Sequence, residues 1–197
     1  MPGGCDLVIR GGTVATAEGA FEASIGVAGG RIAAIGLDLA PGAREIDARG
    51  RIVTPGGVDP HCHIEQMSGM GLMNADSFET ATRSAAMGGT TSVISFAAQA
   101  KGQPLGEAVA DYGARAARGA MIDHAFHISV SDAALPGFRR ELAALVRAGH
   151  RSIKVFTTYD IRLDDRAILE VMATAREAGA LVCIHAENDG MIGLARD

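Results

Sequence analysis

From Arg51 onward the chain alternates short apolar runs of strand length with amphipathic helical stretches. The runs cover residues 90–96, 122–128, 152–156 and 180–184. Strands that are nearly continuous in apolar residues, separated by helices, imply an α/β class with a parallel sheet covered by helices. A doubly wound open sheet and a (β/α)8 barrel both fit that pattern. A glycine-rich phosphate loop after a strand would favour the first, but Gly88-Gly89 falls at the end of a helical stretch. The polar and ionisable residues instead gather at the C-terminal ends of several strands, where barrel active sites are built. The barrel is therefore the expected architecture. About five of its strands fit within the chain, whereas a full barrel takes ~250 residues.

The helices have readable ends. Asp76, with Glu79 three positions on, has capping-box spacing, and Gly88-Gly89 closes that helix. Pro104 suits a first helical turn, with Leu105, Ala108, Val109, Tyr112 and Ala116 as one apolar face before Gly119. Phe138, Leu142 and Leu145 form the next face, ending at Gly149. Asp164 opens the last clear helix, whose inward positions are Ala167, Ile168, Val171, Met172 and Ala175, and Gly179 stops it.

Residues 1–53 read differently, as short β segments at 7–9, 13–16, 23–27, 31–35 and 44–48. Gly11-Gly12 is read as a turn and Gly29-Gly30 as a hairpin turn, because glycine accepts positive φ. The expected organisation is a small antiparallel β domain over 1–53, followed by barrel units over 54–197.

The 197 residues carry a net charge of −5, which argues against a nucleic-acid surface or a polybasic membrane anchor. Three cysteines without paired spacing argue against a disulfide framework, and Cys183 reads as a small buried hydrophobe. No signal peptide is visible at the N-terminus, and no apolar run approaches the ~20 residues of a membrane span. A cytoplasmic location is expected.

The chemistry centres on residues 55–63. His61 and His63 are one residue apart, so in an extended chain they share a face while Cys62 points opposite. Two imidazoles at the end of a strand can reach one divalent cation, although a short His-x-His pair also arises by chance on polar strand ends. Lys154 lies inside the run 152–156. Alternation places Ser152 and Lys154 on one face, and Ile153 and Phe156 are assigned to the other. Such a lysine either snorkels to water or sits in the barrel mouth, where burial disfavours its ammonium form. A neutral amine there can add carbon dioxide and become an anionic ligand able to bridge two metal ions. His185 would face the same mouth, with Glu187 and Asn188 able to orient it. Tyr159 is either a packing residue or a hydroxyl donor to a developing oxyanion. Alternation alone does not place His127; it and His124 read as structural. His150 reads as a surface group at a helix end.

Four motifs occur together: residues 56–63 (GGVDPHCH), 88–91 (GGTT), 152–156 (SIKVF) and 185–188 (HAEN). In their order and spacing the chain resembles the dihydropyrimidinase and D-hydantoinase family of the amidohydrolase superfamily, over essentially its whole length. The resemblance implies the N-terminal portion of a metal-dependent (β/α)8 barrel preceded by a small β-sandwich domain. It implies two divalent metal ions, zinc being expected. His61 and His63 would bind one ion, carboxylated Lys154 would bridge both, and His185 would bind the second. Tyr159 matches the tyrosine that polarises the ring carbonyl. The reaction implied is attack of a metal-activated hydroxide on a cyclic ureide, a hydantoin or dihydropyrimidine, giving an N-carbamoyl amino acid. The segment 65–73 resembles the adaptable apolar loop that receives the ring substituent, with Met67, Leu72 and Met73 as its contacts. Assembly as a homo-oligomer, a tetramer in the complete protein, is also implied, with no nucleic-acid or membrane partner.

The family completes its site with a histidine from strand six and an aspartate from strand eight, positions beyond residue 197. The expectation is a chain that is incomplete and inactive alone. A non-catalytic scaffold of the same fold is the alternative from another class. Allantoinase and dihydroorotase are alternatives within the enzymes.

Overall fold

A computed structural model describes residues 4–68 and 71–196 and divides the chain into two compact units, Met1–Gly56 and Gly57–Asp197. In the first, strands β1 (Leu7–Thr16), β2 (Gly19–Ala28), β3 (Arg31–Gly36), β4 (Arg44–Asp47) and β5 (Ile52–Val53) form one sheet of order β3-β2-β1-β4, with β5 also on β1. β1–β2 and β2–β3 are antiparallel hairpin pairs, whereas β4 and β5 join β1 in parallel. Gly29 and Gly30 both take positive φ, as the two central residues of a type I′ hairpin turn require.

Two local readings change. Gly11-Gly12 is not a turn between two strands but a register shift inside β1. A Cβ on Gly12 would stand 2.7 Å from Val53 Cγ2, so the bulge lets β5 approach closely. Ile52 and Val53 do not lead straight into the barrel strand: they pair with Thr13 and Val14, and Val53 packs on a small core of Val14, Ala23 and Ile25.

The second unit alternates without exception: β6 (Gly57–Cys62), α1 (Phe78–Met87), β7 (Thr90–Ala98), α2 (Leu105–Ala117), β8 (Asp123–Ser129), α3 (Phe138–Arg147), β9 (Ser152–Phe156), α4 (Asp165–Ala178), β10 (Leu181–His185) and α5 (Asp189–Arg196). All neighbouring strands are parallel and lie in the order β10-β9-β8-β7-β6, which is chain order. A doubly wound sheet reverses its order at a switch point, whereas a barrel adds strands sequentially. One sheet face supplies Val93, Ala97, Phe126, Ile128, Ile153 and Val155 to a core with Phe78, Leu105, Leu142, Ile168 and Val171 of the helices. The opposite face is left for chemistry.

The helix ends show which polar residues act as caps. Asp164 accepts from Ala167 N at 2.7 Å and Gly179 closes α4 in the left-handed region. At α1 the cap is Ser77, whose hydroxyl accepts from Thr80 N while Thr80 Oγ1 accepts from Ser77 N. Asp76 is one residue too early and instead accepts from the Thr80 hydroxyl, and Glu79 pairs with Arg83. Inward positions follow the helical period. Leu105, Ala108, Val109, Tyr112 and Ala116 are all buried. Val146 is buried where Leu145 is only partly so, and Thr174 takes the inward place expected for Met172.

Candidate functional site

Register across the parallel sheet decides which side chains share the face away from the helices. Phe96 pairs with His127, Ser129 with Lys154, Lys154 with Cys183, and Phe156 with His185. Paired residues in a parallel ladder point to the same side, so Phe96, His127, Lys154, Phe156 and His185 line one surface. Phe156 is thus on the Lys154 face, two residues along, and not with Ile153. Ile153 and Val155 point into the helix-side core.

β6 reaches the same surface by an irregularity. Asp59 pairs with Val93 and Cys62 with Ser95, so three steps along β6 match two along β7. Without the extra residue, His61 would fall opposite Ser95, on the helix side. The bulge inverts the alternation, putting Cys62 towards the helices and leaving His61 and His63 beside Phe96. Proline at position 60 fits such a place because it has no N–H for the ladder. Burial, with Asp59 nearby, pushes the Cys62 thiol up to about 11, which favours its neutral form.

The two imidazoles have centroids 5.5 Å apart and rest on the Phe96 ring at 4.9 and 4.7 Å, His63 stacked on it. Among the described residues neither ring nitrogen of His61 makes a hydrogen bond. His63 Nδ1 is 2.6 Å from Gln66 Oε1, leaving its Nε2 open, and Asn74 Nδ2 donates to the His63 carbonyl at 2.6 Å. Burial, followed by the charges of His63, Lys154 and His127, holds the His61 imidazole below its ordinary range. The neutral form so favoured is the one that binds metals.

Lys154 is only 7% exposed. Its Nζ lies 5.2 Å from the Phe156 centroid and makes no ion pair or hydrogen bond among the described residues. His185 also stacks on that ring at 5.5 Å, with Nε2 engaged by Glu187 and Nδ1 open among the described residues. Tyr159 holds a left-handed φ of 70° in the loop after β9. Its ring is 5.3 Å from His185 and its hydroxyl 3.3 Å from Glu187 Oε2.

His61, His63, Lys154, His185 and Tyr159 are thereby placed on one sheet face or in the loop at its end. No three His, Cys, Asp or Glu side chains among the described residues converge to form a complete metal cage. Met67 and Met73 face each other across an isolated antiparallel bridge, and with Leu72 they are exposed; residues 69 and 70 of that loop lie outside the described residues. His124 is exposed near the start of β8 and packs at 6.3 Å from Phe78. His150 is half-buried rather than a free surface group, and burial lowers its pKa. Phe96, Gln66 and Asn74 were not foreseen as parts of this surface. Only the parity of Phe96 along its strand, once its register was known, could have found one of them.

A sequentially wound parallel sheet with histidines and a buried lysine at its open face belongs to a known class. The chain belongs to the amidohydrolase family, which matches residues 52–194. The sheet of the second unit is accordingly part of a (β/α)8 barrel. Among individual proteins, it is 41% identical to a D-hydantoinase of Rhizobium radiobacter over 98% of this chain and 42% of that protein. A solved D-hydantoinase structure superposes with a TM-score of 0.93 at 41% identity, covering 98% of this chain and 42% of the other. Dihydropyrimidinase from Brevibacillus agri gives 0.90 at 40% identity, covering 95% and 41%. The chain spans about 42% of the length of the first of these relatives.

Proposed function

We propose that the complete protein is a metal-dependent cyclic amidase of the hydantoinase or dihydropyrimidinase type, opening a cyclic ureide to an N-carbamoyl amino acid. The observation that carries this reading is a buried lysine that has no anionic partner among the described residues, on the same sheet face as three histidines that, among those residues, each keep a ring nitrogen open. The donor set fits a pair of divalent ions, zinc being the expected metal. His61 and His63 would hold one, Lys154 as its carbamate would bridge, and His185 would hold the other. When bound, the ions supply Lewis acidity and lower the pKa of a water.

The chain's own residues do the rest. Phe96 supports the His61 and His63 rings from beneath. Gln66 selects the His63 tautomer with a proton on Nδ1, so that Nε2 keeps its lone pair. Tyr159 holds a hydroxyl proton that it can give to a ring carbonyl oxygen as negative charge develops there. In the overall reaction, water adds to the amide carbon, the ring C–N bond breaks, and the departing nitrogen takes a proton. Met67, Leu72 and Met73 offer flexible apolar contacts for the ring substituent.

The reading extends to a soluble cytoplasmic homo-oligomer, a tetramer, without nucleic-acid or membrane partners. Among the described residues no helix is long and apolar enough to cross a membrane. The test is metal analysis and hydantoin hydrolysis by the complete protein before and after chelation. Tyr159→Phe should retain metal and lose kcat about 100-fold. A metal-free protein with full hydrolysis would refute the reading.

A further inference from the structure

The bulge at Pro60 turns His61 and His63 towards the open face. One side chain, His127, reaches it from two strands away. It stands on β8, with β7 between it and β6, and it is buried at 8% exposure. Its Nε2 lies 2.8 Å from the carbonyl oxygen of Pro60, and its Nδ1 lies 2.6 Å from Ser152 Oγ on β9. The ring crosses β7 over Phe96, 5.0 Å away, the same ring that supports His61 and His63.

The partners determine the proton position. A carbonyl only accepts, so Nε2 carries the hydrogen; a neutral ring then accepts from the Ser152 hydroxyl at Nδ1. This side chain therefore ties the strand of His61 to the strand of Lys154, without standing on either. Its carbonyl partner is one of the two residues, Pro60 and His61, that lie between Asp59 and Cys62 where the β6–β7 register shifts.

We propose that His127 is a positioning residue that locks the Pro60 bulge and so aims His61 and His63 at a shared metal ion. The proposal rests on the metal-site reading above. A side chain that holds the backbone beneath two metal ligands changes metal affinity when removed, typically about 10–100-fold, whereas one that only packs does not.

The experiment measures Zn2+ affinity of the complete protein by competition with a chromophoric chelator, alongside thermal unfolding of the metal-free form. His127→Phe keeps a ring on Phe96 but neither hydrogen bond, and should weaken Zn2+ binding about 10–100-fold. His127→Gln retains a donor for Pro60 and should recover much of that loss. Ser152→Ala leaves the imidazole and its Pro60 bond in place but removes the anchor on Nδ1, and should weaken binding severalfold. Unchanged affinity in His127→Phe, with only a lowered melting temperature, overturns the proposal. Should that variant not fold, Ser152→Ala decides: wild-type affinity overturns the proposal and a severalfold loss supports it. A complete wild-type protein that binds no Zn2+ overturns the metal-site reading and this one together. Equal tight binding by wild type and all variants overturns this one alone.

Discussion

Lys154 Nζ stands 5.2 Å from the centre of the Phe156 ring, in a residue that is 7% exposed. A ring face is a weak counterpart for a buried ammonium, and burying an unpaired charge is costly. Carboxylation removes the positive charge and replaces it with an anion that metal ions can neutralise. The complete, metal-loaded protein is therefore expected to carry one added carbon dioxide on Lys154, visible by intact mass under native conditions. Lys154→Ala should lose activity at least about 100-fold, with partial recovery in short-chain carboxylic acids. A bare amine in an active protein holding two metal ions would overturn this.

The loop after His63 has its own readout. Met67 and Met73 are bridged and exposed, and Leu72 is exposed beside them. Replacing any of the three with serine should change the ratio of activity on an aryl-substituted hydantoin against the unsubstituted ring, by about 10-fold for the residue in closest contact. An equal fall on both substrates would assign the loop to folding.

The α1 cap distinguishes two neighbouring residues. Ser77→Ala removes the side-chain acceptor of Thr80 N and should cost about 1 kcal/mol in urea unfolding of the complete protein. Asp76→Ala removes only an acceptor for a hydroxyl at the surface and should cost less than half as much. The reverse order would place the cap at Asp76.

His150 gives a pH dependence whose sign follows from its burial, which favours the neutral ring and lowers its pKa from 6.5. The unfolded chain then binds more protons than the folded one as pH falls through 6.5. Stability is fully present above that value and declines below it. His150→Gln should flatten part of the decline in melting temperature between about pH 7 and 5. An unchanged slope would mean that His150 titrates alike in both states.

Much of the barrel unit follows from local sequence, because helix and strand periods and end caps depend on residues a few positions apart. The run 152–156 becomes β9 without adjustment, and Asp164 and Gly179 bound α4 as their side chains and backbone preferences require. Lys154 and His185 both sit near the ends of neighbouring strands, a placement that the positions of their apolar runs already carry. The α1 cap expected at Asp76 falls one residue later, at Ser77, because the helix start is decided by the hydrogen bond actually made to Thr80 N.

What tertiary structure alone decided lies in pairing between distant segments. Ile52 and Val53 add to β1 because Gly12 leaves room beside Val53, a contact between residues about 40 positions apart. The direction of His61 and His63 depends on a bulge defined only against β7, and simple alternation along β6 carries no record of it. His127 could not be assigned a side from its own strand because its role is set by Pro60 and Ser152, on strands that flank it at different distances. Periodicity reports which face a residue takes relative to its chain neighbours; register reports what it meets there, and register is a property of two strands at once.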